Sequence, residues 1–271
     1  MTVIGRSGKQ YRNRQMGKAL WFAAVFSAAL LTLPSGCYAA DKSNGPGPAV
    51  TILWSPEIRS AAREPETERN TMSETEVNAM FYTSEITDEI FARIKGRSYK
   101  DNCTVPLSDL RYLHLLHKDI NGVIHEGEMI CSAKIAEDVL AIFRELYDAG
   151  YPIEKVRLVD EYDADDERSM ADNNCSSFNY RTVSYTTKLS NHALGLAVDI
   201  NPLYNPYIKT LNGKPHVEPA NAVPYTDRAA EYPYKLTEGD LCYRLFTEHG
   251  FTWGGHWQSC KDYQHFEKVT D

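Results

Sequence analysis

The sequence predicts an α+β domain in which a small, mainly antiparallel sheet has helices packed on one side. Three patterns lead to it. Apolar residues recur at helical spacing in two stretches: Ile86, Ile90, Phe91 and Ile94, and then Ile135, Val139, Ile142, Phe143 and Leu146. Between them, two strand-like runs, Tyr112 to Ile120 and Val123 to Ile130, flank Asn121-Gly122, a strong two-residue hairpin turn. Further on, Leu196, Val198 and Ile200 alternate with Ala197 and Asp199, as in a short, largely buried strand. With 42% apolar residues in 271, the chain can fill the core of one large domain or two small ones. We place one domain over residues 76–271.

Residues 1–40 read as a signal peptide. Arg6, Lys9, Arg12, Arg14 and Lys18 come with no acid, and an apolar run from Ala19 to Leu33 leads to small residues at Ala39 and Ala40. The run is short for a membrane span of about 20 residues, so cleavage with no retained span is expected. Lipoprotein attachment through Cys37 is disfavoured, because Leu33 stands one residue too far before it. Cleavage removes five basic residues and no acid, so the mature chain is more acidic than the formal −8 of the whole. No electrostatic affinity for nucleic acid or anionic lipid follows from such a balance. Residues 41–75, with Asn44-Gly45-Pro46-Gly47-Pro48, read as a flexible linker.

Within the domain, Gly96 stops the first helix, and the second runs from Ser132 to Ala149 with Gly150 and Pro152 closing it. His114 and His117 point to opposite faces of their strand and should not share a metal. Lys155 to Val159 reads as a strand. The acidic run Asp160 to Glu167 lacks the glycine and terminal glutamate of a calcium loop and reads as a solvated connection. The polar and aromatic stretch Asn173 to Tyr185 suits a cleft wall. The Pro- and Tyr-rich stretch from Leu203 to Pro233 has little periodicity, and a connection of that length should wall a groove, with Tyr204 or Tyr207 facing the ligand. Thr237 and Asp240 open a last helix that Gly250 ends, and Phe251 and Trp253 begin a strand. Cleavage leaves Cys103, Cys131, Cys175, Cys242 and Cys260. In an exported chain Cys242 would pair with Cys260 and Cys103 with Cys131, unless they are simply small buried residues.

Asp199 stands out, because a carboxylate in a buried strand must be paired or ligated. Backbone N–H groups can hold such an aspartate, and His192 in its loop can be a plain surface residue. A metal is the other solution: Asp199 offers a hard oxygen, His192 an imidazole nitrogen, and one more histidine completes the three-ligand site of catalytic zinc. The C-terminus supplies His265 beside Asp262, with His249 and His256 as rival ligands.

The patterns Ser190-x-His192-x-x-Gly195-x-Ala197-x-Asp199, Trp253-Gly254-Gly255-x-Trp257 and Asp262-x-x-His265-Phe266-Glu267 resemble the zinc D-alanyl-D-alanine carboxypeptidase and endolysin-type L-alanyl-D-glutamate peptidase family. The resemblance covers roughly Cys103 to the end. It implies a Hedgehog/DD-peptidase-like fold with a zinc site at the sheet edge, held by His192, Asp199 and His265. It makes Asp262 the catalytic carboxylate. Phe178-Asn179-Tyr180-Arg181 resembles the family segment whose arginine faces the substrate, with Arg168 as the alternative. Ser190, Trp253 and Tyr204 are the expected substrate-binding residues, peptidoglycan peptides the partners, and a monomer outside the cytoplasm the expected form. Other branches of the family carry Glu-x-x-His where this chain has Asp262-x-x-His265. A thermolysin-like site is excluded, because His125-Glu126-Gly127-Glu128-Met129 lacks its second histidine. The rival readings are a non-catalytic cell-wall-binding module that keeps the fold, and a zinc amidase.

Overall fold

A computed structural model describes residues 72–184 and 186–269. The expected signal peptide with Cys37, and the expected linker as far as residue 71, lie outside the described residues. The chain runs α1 (Glu74–Ala79), β1 (Tyr82–Ser84), α2 (Asp88–Ile94), β2 (Leu110–Lys118), β3 (Ile124–Ser132), α3 (Ala136–Asp148), β4 (Lys155–Val156), α4 (Asp166–Ala171) and β5 (Asn174–Cys175). It continues through β6 (Ala197–Asp199), β7 (Tyr207–Leu211), β8 (Lys214–Glu218), α5 (Leu241–Glu248), β9 (Thr252–Trp253), β10 (Lys261–Asp262) and β11 (His265–Glu267). This is an α+β arrangement. Among the described residues no helix is long and apolar enough to cross a membrane.

The strands form several small sheets rather than one. β1, β2 and β3 make an antiparallel sheet, β10-β7-β8 a second, β6-β11-β9 a third, and β4 and β5 pair in parallel. Many of these strands are only two or three residues long, so a sheet built from them stays small. The hairpin β2–β3 holds register from Leu110↔Ser132 to Lys118↔Ile124. Its connection is longer than the two-residue turn expected from Asn121-Gly122. Asp119 explains the difference, since its Oδ1 accepts from Asn121 N at 2.8 Å and Val123 N at 3.0 Å and so closes a wider loop.

Helix α3 buries Ala136, Val139, Ile142, Phe143, Leu146 and Tyr147, the stripe its periodicity predicts. All but Tyr147, which packs with Val77 and Leu116, meet Leu113 and Leu115 of β2 and Met129 of β3 in one core, which continues through Phe246, Val198 and Phe266. The Phe246 and Phe266 rings stack at 4.2 Å. Residues alternate sides along a strand, so anchoring Phe266 in the core turns His265 and Glu267 the other way.

Three expectations change. The acidic run 160–167 leads into α4, capped by Asp165, whose side chain accepts from Arg168 N. The stretch after Pro202 contains the hairpin β7–β8 around Asn212-Gly213, a turn signal that its weak alternation concealed. The five cysteines among the described residues are free thiols: Cys131, Cys175 and Cys242 are buried in the core, and Cys103 and Cys260 lie half-buried elsewhere. The three in the core serve as small apolar residues.

His114 and His117 also part company as expected. His114 Nδ1 meets Met80 O at 2.7 Å, and His117, 3% exposed, donates from Nδ1 to Ile153 O at 2.8 Å. Burial lowers the His117 pKa to about 4, against the opposing Ile153 bond. The unfolded chain therefore binds this proton at a higher pH than the folded chain. Stability is present in full above about pH 6.5 and falls as pH drops toward 4. Between pH 7.5 and 4.5 urea denaturation should show a loss of about 2 kcal/mol that His117→Gln lacks. Parallel acid limbs for both proteins would disprove it.

Candidate metal and catalytic site

The site begins at a tight turn. Ser190 caps the 3-10 turn Asn191–Leu194, its Oγ accepting from His192 N at 3.3 Å, and Gly195 ends the turn at φ 65°. A Cβ at Gly195 would lie 2.6 Å from Ser132 N, so only glycine lets this turn seat against the end of β3. His192 is thereby fixed beneath the cleft, 3% exposed. Its Nδ1 lies 2.7 Å from Ser177 O, which can only accept, so the proton sits on Nδ1 and Nε2 keeps its lone pair.

β6 and β11 then bring the second half together. His265 is directly opposite Asp199 in their antiparallel register. The Nδ1 of His265 is 3.1 Å from Asp199 Oδ1, the Nε2 of His192 is 3.1 Å from Asp199 Oδ2, and the two ring nitrogens are 3.1 Å apart. His265 Nε2 points away, 3.1 Å from Glu267 Oε2.

Two imidazole nitrogens and a carboxylate therefore face one another, their ligand atoms all within 4.8 Å. Such a cluster calls for a cation. Burial alone would lower the His265 pKa, but hydrogen bonds to Asp199 and Glu267 outweigh it and raise it to about 10. Burial likewise opposes the charge on Asp199, yet His192 and His265 hold its pKa far below the usual range. Two imidazoles and one carboxylate in a buried, converging set are donors of the type that could hold a metal ion such as zinc. His249, paired with Asp138, and exposed His256 lie outside the cluster.

A cleft of about 560 Å³ opens over this cluster, and Asp262, Arg181, Ser190, Asp166, Tyr207 and Trp257 are among its walls. Asp262 lies on β10, paired with Tyr207 of β7. Its Oδ1 is buried and has no hydrogen-bond partner. Burial pushes its pKa up to about 7, with the charge of Asp199 adding and His265 and Arg181 opposing. Arg181 is tied through Nη2 to Asp166 at 2.7 Å, while its Nε is buried without a partner. Arg168 is 58% exposed at its side chain and pairs with Asp163, outside the cleft.

Two expected substrate residues are elsewhere. Trp253 is buried in the core, its Nε1 donating to Tyr263 O at 2.9 Å. Tyr204 packs against Tyr225 and Tyr234 and is not among the described residues that line the cleft. Nearby aromatic residues line the cleft instead. Trp257 sits with its ring 5.2 Å from His265, and Tyr207 lines the cleft. The strand ends at Trp253, and the 3-10 turn Gly254–His256 carries the chain outward, so the second tryptophan rather than the first reaches the site. Sequence reasoning also missed Glu267 and Asn191, although the spacing of 265 and 267 on one strand face was there to read.

The paired glycines have a physical reason too. A Cβ at Gly254 would lie 2.7 Å from Asp262 Cβ and 2.7 Å from Asp262 O. The same Cβ would lie 3.3 Å from His265 Cβ, so Gly254→Ala should push β10 and its carboxylate aside and lower kcat by about 100-fold. Wild-type turnover in that variant would show that Asp262 tolerates displacement.

No curated protein and no solved structure matches the chain. Residues 184–268, the stretch that carries His192, Asp199, Asp262 and His265, match the family model described as D-alanyl-D-alanine carboxypeptidase.

Proposed function

We propose that the protein is a zinc-dependent metallopeptidase that hydrolyses peptide bonds in peptidoglycan stem peptides, as a D-alanyl-D-alanine carboxypeptidase or an L-alanyl-D-glutamate endopeptidase. The observation that carries this reading is Asp262, whose buried Oδ1 has no hydrogen-bond partner among the described residues, in the cleft above a converging His-Asp-His set. A binding module has no use for such a carboxylate, whose burial is costly.

His192, Asp199 and His265 would hold the ion. Zinc, when bound, supplies Lewis acidity that activates water and polarises the scissile carbonyl. Asp262 takes the proton from the attacking water and passes it to the leaving amine. The unpartnered Nε–H of Arg181 donates to the developing oxyanion, a contact typically worth about 3 kcal/mol. Asp166 fixes the guanidinium in that orientation. Ser190 acts as a cap that positions His192, and Trp257 and Tyr207 bound the substrate.

On the same reading the protein works as a monomer outside the cytoplasm, with residues 1–40 directing export. The test is to incubate the zinc-loaded protein with purified muropeptides and identify the products by mass. Release of a terminal alanine, or an internal cut between alanine and glutamate, supports the proposal and names the bond. Release of the whole stem peptide from the sugar would make the protein an amidase. Zinc binding without any product would leave the cell-wall-binding module.

A further inference from the structure

The histidine that closes the proposed metal site has a dedicated partner on its far side. His265 and Glu267 lie on one face of β11, and the Glu267 Oε2 accepts from His265 Nε2 at 3.1 Å. The same oxygen accepts from Asn191 Nδ2 at 2.6 Å, and Asn191 is the chain neighbour of His192. One carboxylate oxygen therefore links the turn that carries one histidine to the strand that carries the other.

We propose that Glu267 is a positioning residue for the metal centre, holding His265 with its proton on Nε2 and its Nδ1 lone pair aimed at the Asp199–His192 side, with Asn191 holding Glu267 in turn. Three features support it. An imidazole has two nitrogens, and a fixed acceptor on one decides which is left to bind a metal. Carboxylates that accept from a ligand histidine also raise its basicity, and their loss typically costs about 10- to 100-fold in metal affinity. Finally, Glu267 has no other side-chain partner than these two groups among the described residues, so its place in the fold is explained by them. Without it the ring could rotate and present either nitrogen, and His192 and His265 would lose their cross-link.

The inference rests on the zinc reading, and the test separates the two. Zinc affinity is measured by competition with a chromogenic chelator for the wild-type protein and for Glu267→Ala, Glu267→Gln and Asn191→Ala. The cobalt-substituted proteins give visible spectra in parallel. Glu267→Ala should bind zinc about 10- to 100-fold more weakly and shift the cobalt bands. Glu267→Gln, which keeps an acceptor oxygen, should recover part of the affinity, and Asn191→Ala should fall between the wild type and Glu267→Ala. Affinities and spectra within twofold of wild type for all three variants would overturn the inference while leaving the zinc site standing. Failure of the wild type to bind zinc would instead overturn the reading beneath it. If Glu267→Ala does not fold, Glu267→Gln and Asn191→Ala decide the question alone.

Discussion

Replacing Asp262 by asparagine is expected to lower kcat on muropeptides by about 100- to 10,000-fold while zinc affinity changes little. The amide has the shape of the carboxylate but cannot take a proton, so the substitution isolates proton transfer from packing. The site geometry makes the effect large, since Asp262 Oδ1 is buried without a partner and no other carboxylate of the cleft stands free. Asp166 is engaged by Arg181, Asp199 by the two histidines, Glu218 by Ser184 and His216, and Glu267 by His265 and Asn191. None can substitute without breaking its own pair. Steady-state kinetics beside metal analysis of the same samples decide it. A variant within tenfold of wild type would remove Asp262 from the chemistry.

Asp199→Asn should abolish both metal retention and hydrolysis. The substitution keeps the size of the side chain and removes the negative charge that faces His192 Nε2 and His265 Nδ1. An outer partner of a ligand histidine is already worth about 10- to 100-fold in affinity, so losing a ligand itself should exceed about 100-fold. Chelation of the wild-type protein should silence it in the same way, with zinc restoring the rate and doing nothing for Asp199→Asn. The readouts are zinc content per chain after dialysis and product formation before and after chelator. Retention of one zinc per chain by Asp199→Asn would place the ion elsewhere.

The parts of the fold that were legible are those with local periodicity. The stripe of α3, the long hairpin β2–β3, the last helix with its Asp240 cap and the short strand ending in Asp199 all follow from spacing over a few residues. The anomaly at Asp199 was legible for the same reason, since a carboxylate at a buried strand position demands a partner whatever the rest of the chain does. Short elements with mixed polarity were hidden. The hairpin β7–β8 alternates weakly between half-buried and exposed positions, and α4 begins in an acidic run that reads as solvated chain.

The sequence by itself determined the chemistry available to the protein: which residues donate lone pairs, which carboxylates sit at apolar positions, and which glycines permit a turn. Tertiary structure decided which of these groups meet. His192 and His265 are 73 residues apart, and they come within 3.1 Å because β6 and β11 pair in one register with Phe266 buried behind them. That register also chose Glu267, and the turn after Trp253 chose Trp257 for the cleft in its place. The physical reason is one of range. Side-chain periodicity records which face of an element is apolar, whereas the partner that covers that face is fixed by long-range packing, and only that packing sets the directions in which the remaining side chains point.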